Sequence, residues 1–159
     1  MSDNAEIAIL AGGCFWTMQQ LLRDRDGVIS TRVGWIGGEN DNPTEENNSG
    51  HAEAVEVTFD PERIPYRGLL EFFFQVHRPD LGEHLVGSGY RSEIFYTSEE
   101  QRKVAEETIR DVDASGHWPG KTVTQISEAG RFWKAEAEDH DYFQRYPVGC
   151  APPFPRHGA

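Results

Sequence analysis

The chain has 159 residues, enough for a substantial core, and its 27 acidic against 15 basic residues give a formal net charge of −12. With no basic patch to offset it, that charge argues against binding nucleic acid or docking on an anionic membrane. Two cysteines make neither a disulfide scaffold nor a structural zinc site. Residues 1–6 lack a positive leader region and the apolar run after them is too short for a membrane span, so the cytoplasm with reduced thiols is the expected compartment.

Residues 6–11 are almost continuously apolar, as in a strand buried on both faces. Residues 15–25 then set Phe15, Met18, Leu21 and Leu22 on one helical stripe. A strand is expected over 28–35, an irregular polar loop over 37–50, and a second strand over 51–58. Pro65 fits the first turn of a helix whose apolar stripe runs from Tyr66 through Leu69, Leu70, Phe73 and Val76 to His77. A glycine-spotted loop leads into a strand over 90–96. The order β-α-β-β-α-β predicts an α+β fold, a ferredoxin-like sandwich with helices on one face of a mainly antiparallel sheet.

A further helix is signalled by Ser98 with Gln101 as a capping box, by Glu99 and Glu100 in its first turn, and by Gly116 at its end. A short strand over 123–126 and a charged helix over 135–146 are expected next. Residues 146–159 form a tail rich in Pro and Gly that carries Cys150. No linker divides the chain, so residues 1–159 read as a single domain.

Cys14 stands where the first strand meets the first helix. Free backbone N–H groups and the positive end of the helix dipole converge there and favour a thiolate. Gly12 and Gly13 permit a tight turn, and Phe15 and Trp16 place two aromatic surfaces beside the sulfur. By local spacing alone, Cys14 fits a buried small hydrophobe as well as a nucleophile, and the aromatics fit plain core packing as well as a binding wall. In the strand after the polar loop, period-two alternation puts His51, Glu53, Val55 and Val57 on one face. Facing inward, Glu53 would stay protonated near neutral pH, as a general acid requires; at a solvated strand end it would not. His51, Glu53 and Cys14 lack a clear further ligand, so neither a metal nor another cofactor is expected.

The segments Gly12-Gly13-Cys14-Phe15-Trp16 and Gly50-His51-Ala52-Glu53 together resemble the type A peptide methionine sulfoxide reductases, which carry both motifs at similar relative positions. The resemblance continues through Asp60-Pro61, Tyr90-Arg91-Ser92 and Phe132-Trp133, covering most of the chain. It implies that Cys14 attacks the sulfur of a methionine S-sulfoxide, free or in peptides and oxidised proteins, and becomes a sulfenic acid. Glu53 would protonate the oxygen, Tyr90 would hydrogen-bond to it, and Phe15 and Trp16 would hold the S-methyl group. Cys150 would resolve the sulfenic acid to a disulfide that a thioredoxin-like donor reduces.

The chain departs from the family pattern in places. Glu45 follows Asn42-Pro43-Thr44 where the family has a second active-site tyrosine, and Leu85 replaces an aspartate that arranges the site. Thr17 and Gln19 stand for the usual Gly and Glu, and Arg78 for the commoner Asp. Such changes bear on rate and substrate range, since supporting groups hold a site in place. Two other readings of the same residues are a cysteine-dependent peroxidase or acyl transferase, and a non-catalytic module that binds methionine sulfoxide.

Overall fold

The computed structural model describes residues 5–44, 47–48 and 50–135. Six strands form one sheet: β1 (Glu6–Gly12), β2 (Val28–Ile36), β3 (Ala52–Phe59), β4 (Ser92–Tyr96), β5 (Gln125–Glu128) and β6 (Trp133–Lys134). Their order across the sheet is β5-β4-β1-β3-β2-β6. The four central strands are antiparallel to one another, β1 lying between β3 and β4, which is the ferredoxin-like arrangement expected from the sequence, and β5 adds to β4 in parallel. The helices are α1 (Phe15–Arg23), α2 (Tyr66–Phe73), the single turn α3 (Glu83–Val86) and α4 (Glu99–Ser115). No described helix is long and apolar enough to cross a membrane.

From Ala8 onward β1 is buried on both faces, as its composition requires, while Glu6 and Ile7 at its start are exposed. Ala8 and Leu10 join the main core with Phe15, Leu22, Leu69 and Phe73, while Ile9 and Ala11 join a second cluster with Ile36, Ala54 and Phe95. β3 is likewise divided, with Val55 and Val57 in the main core and Ala52 and Ala54 in the second cluster. Burying both sides of the central strands fixes their register, because a slip of one residue would exchange the two sets.

α4 follows its sequence signals closely. The Ser98 hydroxyl accepts from the Gln101 N–H at 3.2 Å, and Gly116 ends the helix in the left-handed region at φ 70°. Gln101 itself is buried, and its Nε2 donates to the Ile7 carbonyl at 2.9 Å, tying the helix to β1.

Several boundaries differ from expectation. Pro65 is the N-cap of α2 rather than a residue of its first turn. That helix stops at Phe73, so His77 lies beyond it, fully buried, with Nδ1 on the Phe73 carbonyl at 2.7 Å and Nε2 on the Ser92 hydroxyl at 2.7 Å. The Phe73 carbonyl at the helix end is thus shared between the His77 ring and the Val76 N–H, which donates to it at 3.3 Å. Tyr90 belongs to a 3-10 turn (Ser88–Tyr90), and the strand begins only at Ser92. β5 starts at Gln125 because Thr122 and Val123 spend their N–H groups on Asp113 and on the Pro79 carbonyl, each at 2.7 Å.

At the far edge, β6 was not expected. It pairs with Gly34 and Trp35 of β2, and a side chain at Gly34 would place its Cβ 2.2 Å from the Trp133 carbonyl oxygen. Ala135 donates its N–H to Val33 at 2.9 Å, so it prolongs this edge pairing instead of opening a helix. The rest of the helix expected over 135–146, and the tail with Cys150, lie outside the described residues.

Candidate active site

Cys14 is the N-cap of α1, with extended backbone at φ −61° and ψ 125°. Gly13 before it has φ 102°, a left-handed conformation that turns the chain from β1 into the helix and that only glycine adopts without strain. Gly12 is needed for a different reason: a Cβ there would come within 3.0 Å of Phe73, Met18 and His77. The turn therefore sits directly on the core, and Cys14 is only 3% exposed.

Glu53 reaches this turn from β3. Its Oε1 accepts the Phe15 N–H at 3.1 Å, so the carboxyl group covers one of the free donors at the helix start beside the cysteine. Glu53 shares its sheet face with Val55 and Val57 and is half-buried, which answers the question left open by alternation alone: the face looks toward the helices. Across the strand pair it stands opposite Trp35, whose ring lies 5.6 Å from that of Phe15. Phe15 is fully buried, and Trp16, 6.1 Å from it, is half-buried. Trp35 thus packs on Phe15 within the main core, a neighbour of the site that sequence inspection missed. Its signal was the pairing of two strands, not a motif.

The helix start does not leave Cys14 as a resting thiolate. Burial, and then the negative charge of Glu53, push its pKa from 9.0 to about 11; the Thr17 and Trp16 amides and the Thr17 hydroxyl pull the other way and lose. The expected stabilisation of the anion is present, but smaller than the cost of removing the sulfur from water beside a carboxylate. A stability consequence follows. The folded state keeps the Cys14 proton longer than the unfolded chain does, so this contribution is complete below pH 9 and is lost as pH rises toward 11. The unfolding free energy of the wild type should fall relative to Cys14→Ser by about 2 kcal/mol between pH 8 and pH 10.5, as measured by urea unfolding at the two values.

His51 is not a metal ligand here. Its Nδ1 accepts the Gly38 N–H at 3.1 Å and its Nε2 donates to the Asn40 carbonyl at 2.8 Å, so both ring nitrogens are committed to the loop that precedes β3. Gly38 must be glycine, because a Cβ would lie 2.4 Å from the His51 nitrogen. The 3-10 turn carrying Tyr90 packs against β3, the strand of Glu53, and Tyr90 is half-buried. Arg91 is buried beside it, donating to Glu93 at 2.7 Å and to the Gly50 carbonyl at 3.2 Å, while Ser127 donates to the other Glu93 oxygen. This buried pair ties β4 to the residue before His51. Removing one partner would strand a charge in the core. Leu85, in α3, is largely exposed, and Glu45 lies outside the described residues.

The structure therefore brings together Cys14, Phe15, Trp16 and Glu53 and sets the Tyr90 turn against the same strand. It resembles known structures closely. It superposes on methionine sulfoxide reductase A of Corynebacterium diphtheriae with a TM-score of 0.81 at 27% identity, covering 96% of this chain and 80% of that one. It also matches Mxr1 from Saccharomyces cerevisiae in complex with Trx2, with a TM-score of 0.59 at 26% identity over 96% and 91% of the two chains. In sequence it is 57% identical over 161 positions to the peptide methionine sulfoxide reductase MsrA of Mycolicibacterium gilvum, covering 99% of this chain and 95% of the relative. Residues 6–152 match the family model described as peptide methionine sulfoxide reductase. A cysteine at a helix start, with a carboxyl group from a strand on the adjoining amide, accordingly lies within a chain that belongs to the peptide methionine sulfoxide reductase family.

Proposed function

We propose that this chain, acting as one catalytic domain, reduces the S epimer of methionine sulfoxide, free or within peptides and proteins, to methionine. The observation that carries the reading is the Glu53 carboxyl group held on the Phe15 N–H beside the Cys14 sulfur. Burial, and then the Glu53 carboxylate, keep a proton on Cys14 near neutral pH. That proton is what the reaction needs. With the proton on Glu53, Cys14 is a thiolate and no carboxylate charge opposes it.

The Cys14 sulfur attacks the sulfoxide sulfur while Glu53 delivers its proton to the oxygen, which is a poor leaving group until protonated. The oxygen passes to Cys14 as a sulfenic acid and methionine departs, so the sulfoxide is reduced by two electrons and the cysteine oxidised by two. Phe15 and Trp16 wall the methyl end of the substrate, and Tyr90 offers a phenol to its oxygen. Cys150 then attacks the sulfenic sulfur, releasing water and closing a disulfide. A thioredoxin-like dithiol supplies two electrons and two protons to reopen it, in keeping with a relative solved in complex with a thioredoxin. The chemistry calls for a reducing compartment, for which the cytoplasm is the natural place.

A peroxidase or acyl transferase fits less well, because residues 6–152 match the peptide methionine sulfoxide reductase family and the same thiolate would serve that reaction. The deciding experiment mixes reduced protein, without added reductant, with the separated S and R epimers of a methionine-sulfoxide peptide. About one methionine per protein is expected from the S epimer and none from the R epimer. With thioredoxin supplied, Cys150→Ser should stop after its first turnover. Undiminished recycling would remove Cys150 from the scheme, and no methionine from either epimer would leave a binding module.

A further inference from the structure

Threonines inside helices ordinarily turn their hydroxyl back to a carbonyl one turn earlier. Thr108 in α4 does so, donating to Val104 at 2.7 Å. Thr17 in α1 does not. Its Oγ1 is buried and has no hydrogen-bond partner of ordinary geometry among the described residues. A buried hydroxyl left in that state costs free energy unless something completes it, so the position calls for an explanation.

Thr17 is the third residue after the Cys14 N-cap. Side chains on a helix lean toward its N-terminus, and those at this third position reach back to the cap residue, which is the geometry of a capping box. The cap residue here is the nucleophile. The Cys14 carbonyl accepts the Met18 N–H at 3.1 Å, the Thr17 hydroxyl is bound neither to it nor to any other described oxygen or nitrogen, and the Cys14 sulfur is the group on which that hydroxyl acts. Glu53, whose charge raises the Cys14 pKa, accepts from the Phe15 N–H at the start of the same turn; the amides of Trp16 and Thr17 oppose it.

We propose that Thr17 is a further catalytic residue: its hydroxyl donates a hydrogen bond to the Cys14 sulfur as the thiolate forms, using a donor that the resting thiol leaves unspent. An anionic sulfur is a far better acceptor than a neutral one, so the bond strengthens as negative charge develops and adds little before that. The same hydroxyl lowers the Cys14 pKa in the folded protein, the direction that a donor to the anion requires. This assignment rests on the reading of Cys14 as the nucleophile.

The test uses Cys150→Ser as background, so that Cys14 is the one remaining thiol, and compares Thr17→Val with Thr17→Ser. Valine keeps the shape and removes the hydroxyl; serine keeps the hydroxyl. Two rates are read: alkylation of Cys14 by iodoacetamide between pH 7 and pH 10, and single-turnover release of methionine from the S-epimer peptide across a range of substrate concentrations. In Thr17→Val, alkylation at a fixed pH and the limiting rate of methionine release should each fall about tenfold, with the half-saturating concentration unchanged. Thr17→Ser should restore both rates. Wild-type alkylation and turnover in the valine variant would overturn the proposal, as would an equal loss in the serine variant. Alkylation needs no sulfoxide chemistry, so it reports on the Thr17 contact even if the parent protein reduces neither epimer.

Discussion

Cys14→Ser is expected to abolish methionine release from the S epimer, a loss of at least about 10⁴-fold, because no other group in the site can take the oxygen. The variant should fold at least as well as the wild type. Cys14 is the N-cap of α1 without a side-chain cap bond of its own, and serine is among the best residues for that position. A serine hydroxyl can satisfy an amide at the helix start that the thiol serves poorly, so the thermal midpoint at pH 7 should hold or rise while activity disappears. Single-turnover assay and thermal melting of the same preparation check both halves. Residual methionine from the variant would mean that Cys14 is not the nucleophile.

Glu53→Gln separates two roles that one residue combines. The glutamine oxygen can still accept the Phe15 N–H, so the helix start keeps its partner, but the side chain has neither a proton to give nor a charge. Methionine release should fall by about 10²- to 10⁴-fold, the usual cost of removing a general acid. Reactivity of the thiol should move the other way. The Glu53 carboxylate raises the Cys14 pKa, so its removal lowers that pKa, increases the thiolate fraction at pH 8 and speeds alkylation by iodoacetamide. A thermal midpoint at the wild-type value separates this result from local unfolding, which would also expose Cys14 and speed its alkylation. Turnover at the wild-type level would exclude Glu53 as the acid.

The sequence carried the local half of this design. The apolar run of β1, the stripe of α1 and the Ser98 and Gly116 signals of α4 are each set by neighbours in the chain, and they appear where periodicity and capping chemistry put them. What escaped depends on partners brought in from afar. The Phe15 amide and the Glu53 carboxyl are 38 residues apart, and with them came the charge that turns a favoured thiolate into a resting thiol. His77 fits the stripe of α2, yet its ring is claimed by Phe73 and by Ser92 on another strand, and the helix ends before it. β6 is two residues long, too short for any periodic pattern, and exists because Gly34 lets its backbone approach. Arg91 and Glu93 alternate like exposed strand residues, and only the packed fold shows that they face each other inside it.

The bond between Glu53 and the Phe15 amide constrains how this chain can change over evolutionary time. In the proposed mechanism one carboxyl group is both the proton donor and, through its bond to the Phe15 N–H, the structural partner of the Cys14 helix. A lineage that lost the activity by alanine at this position would also untie the helix start and forfeit folding stability, whereas glutamine would keep the architecture. Silent descendants of this site should therefore be recognisable by an amide in place of the acid.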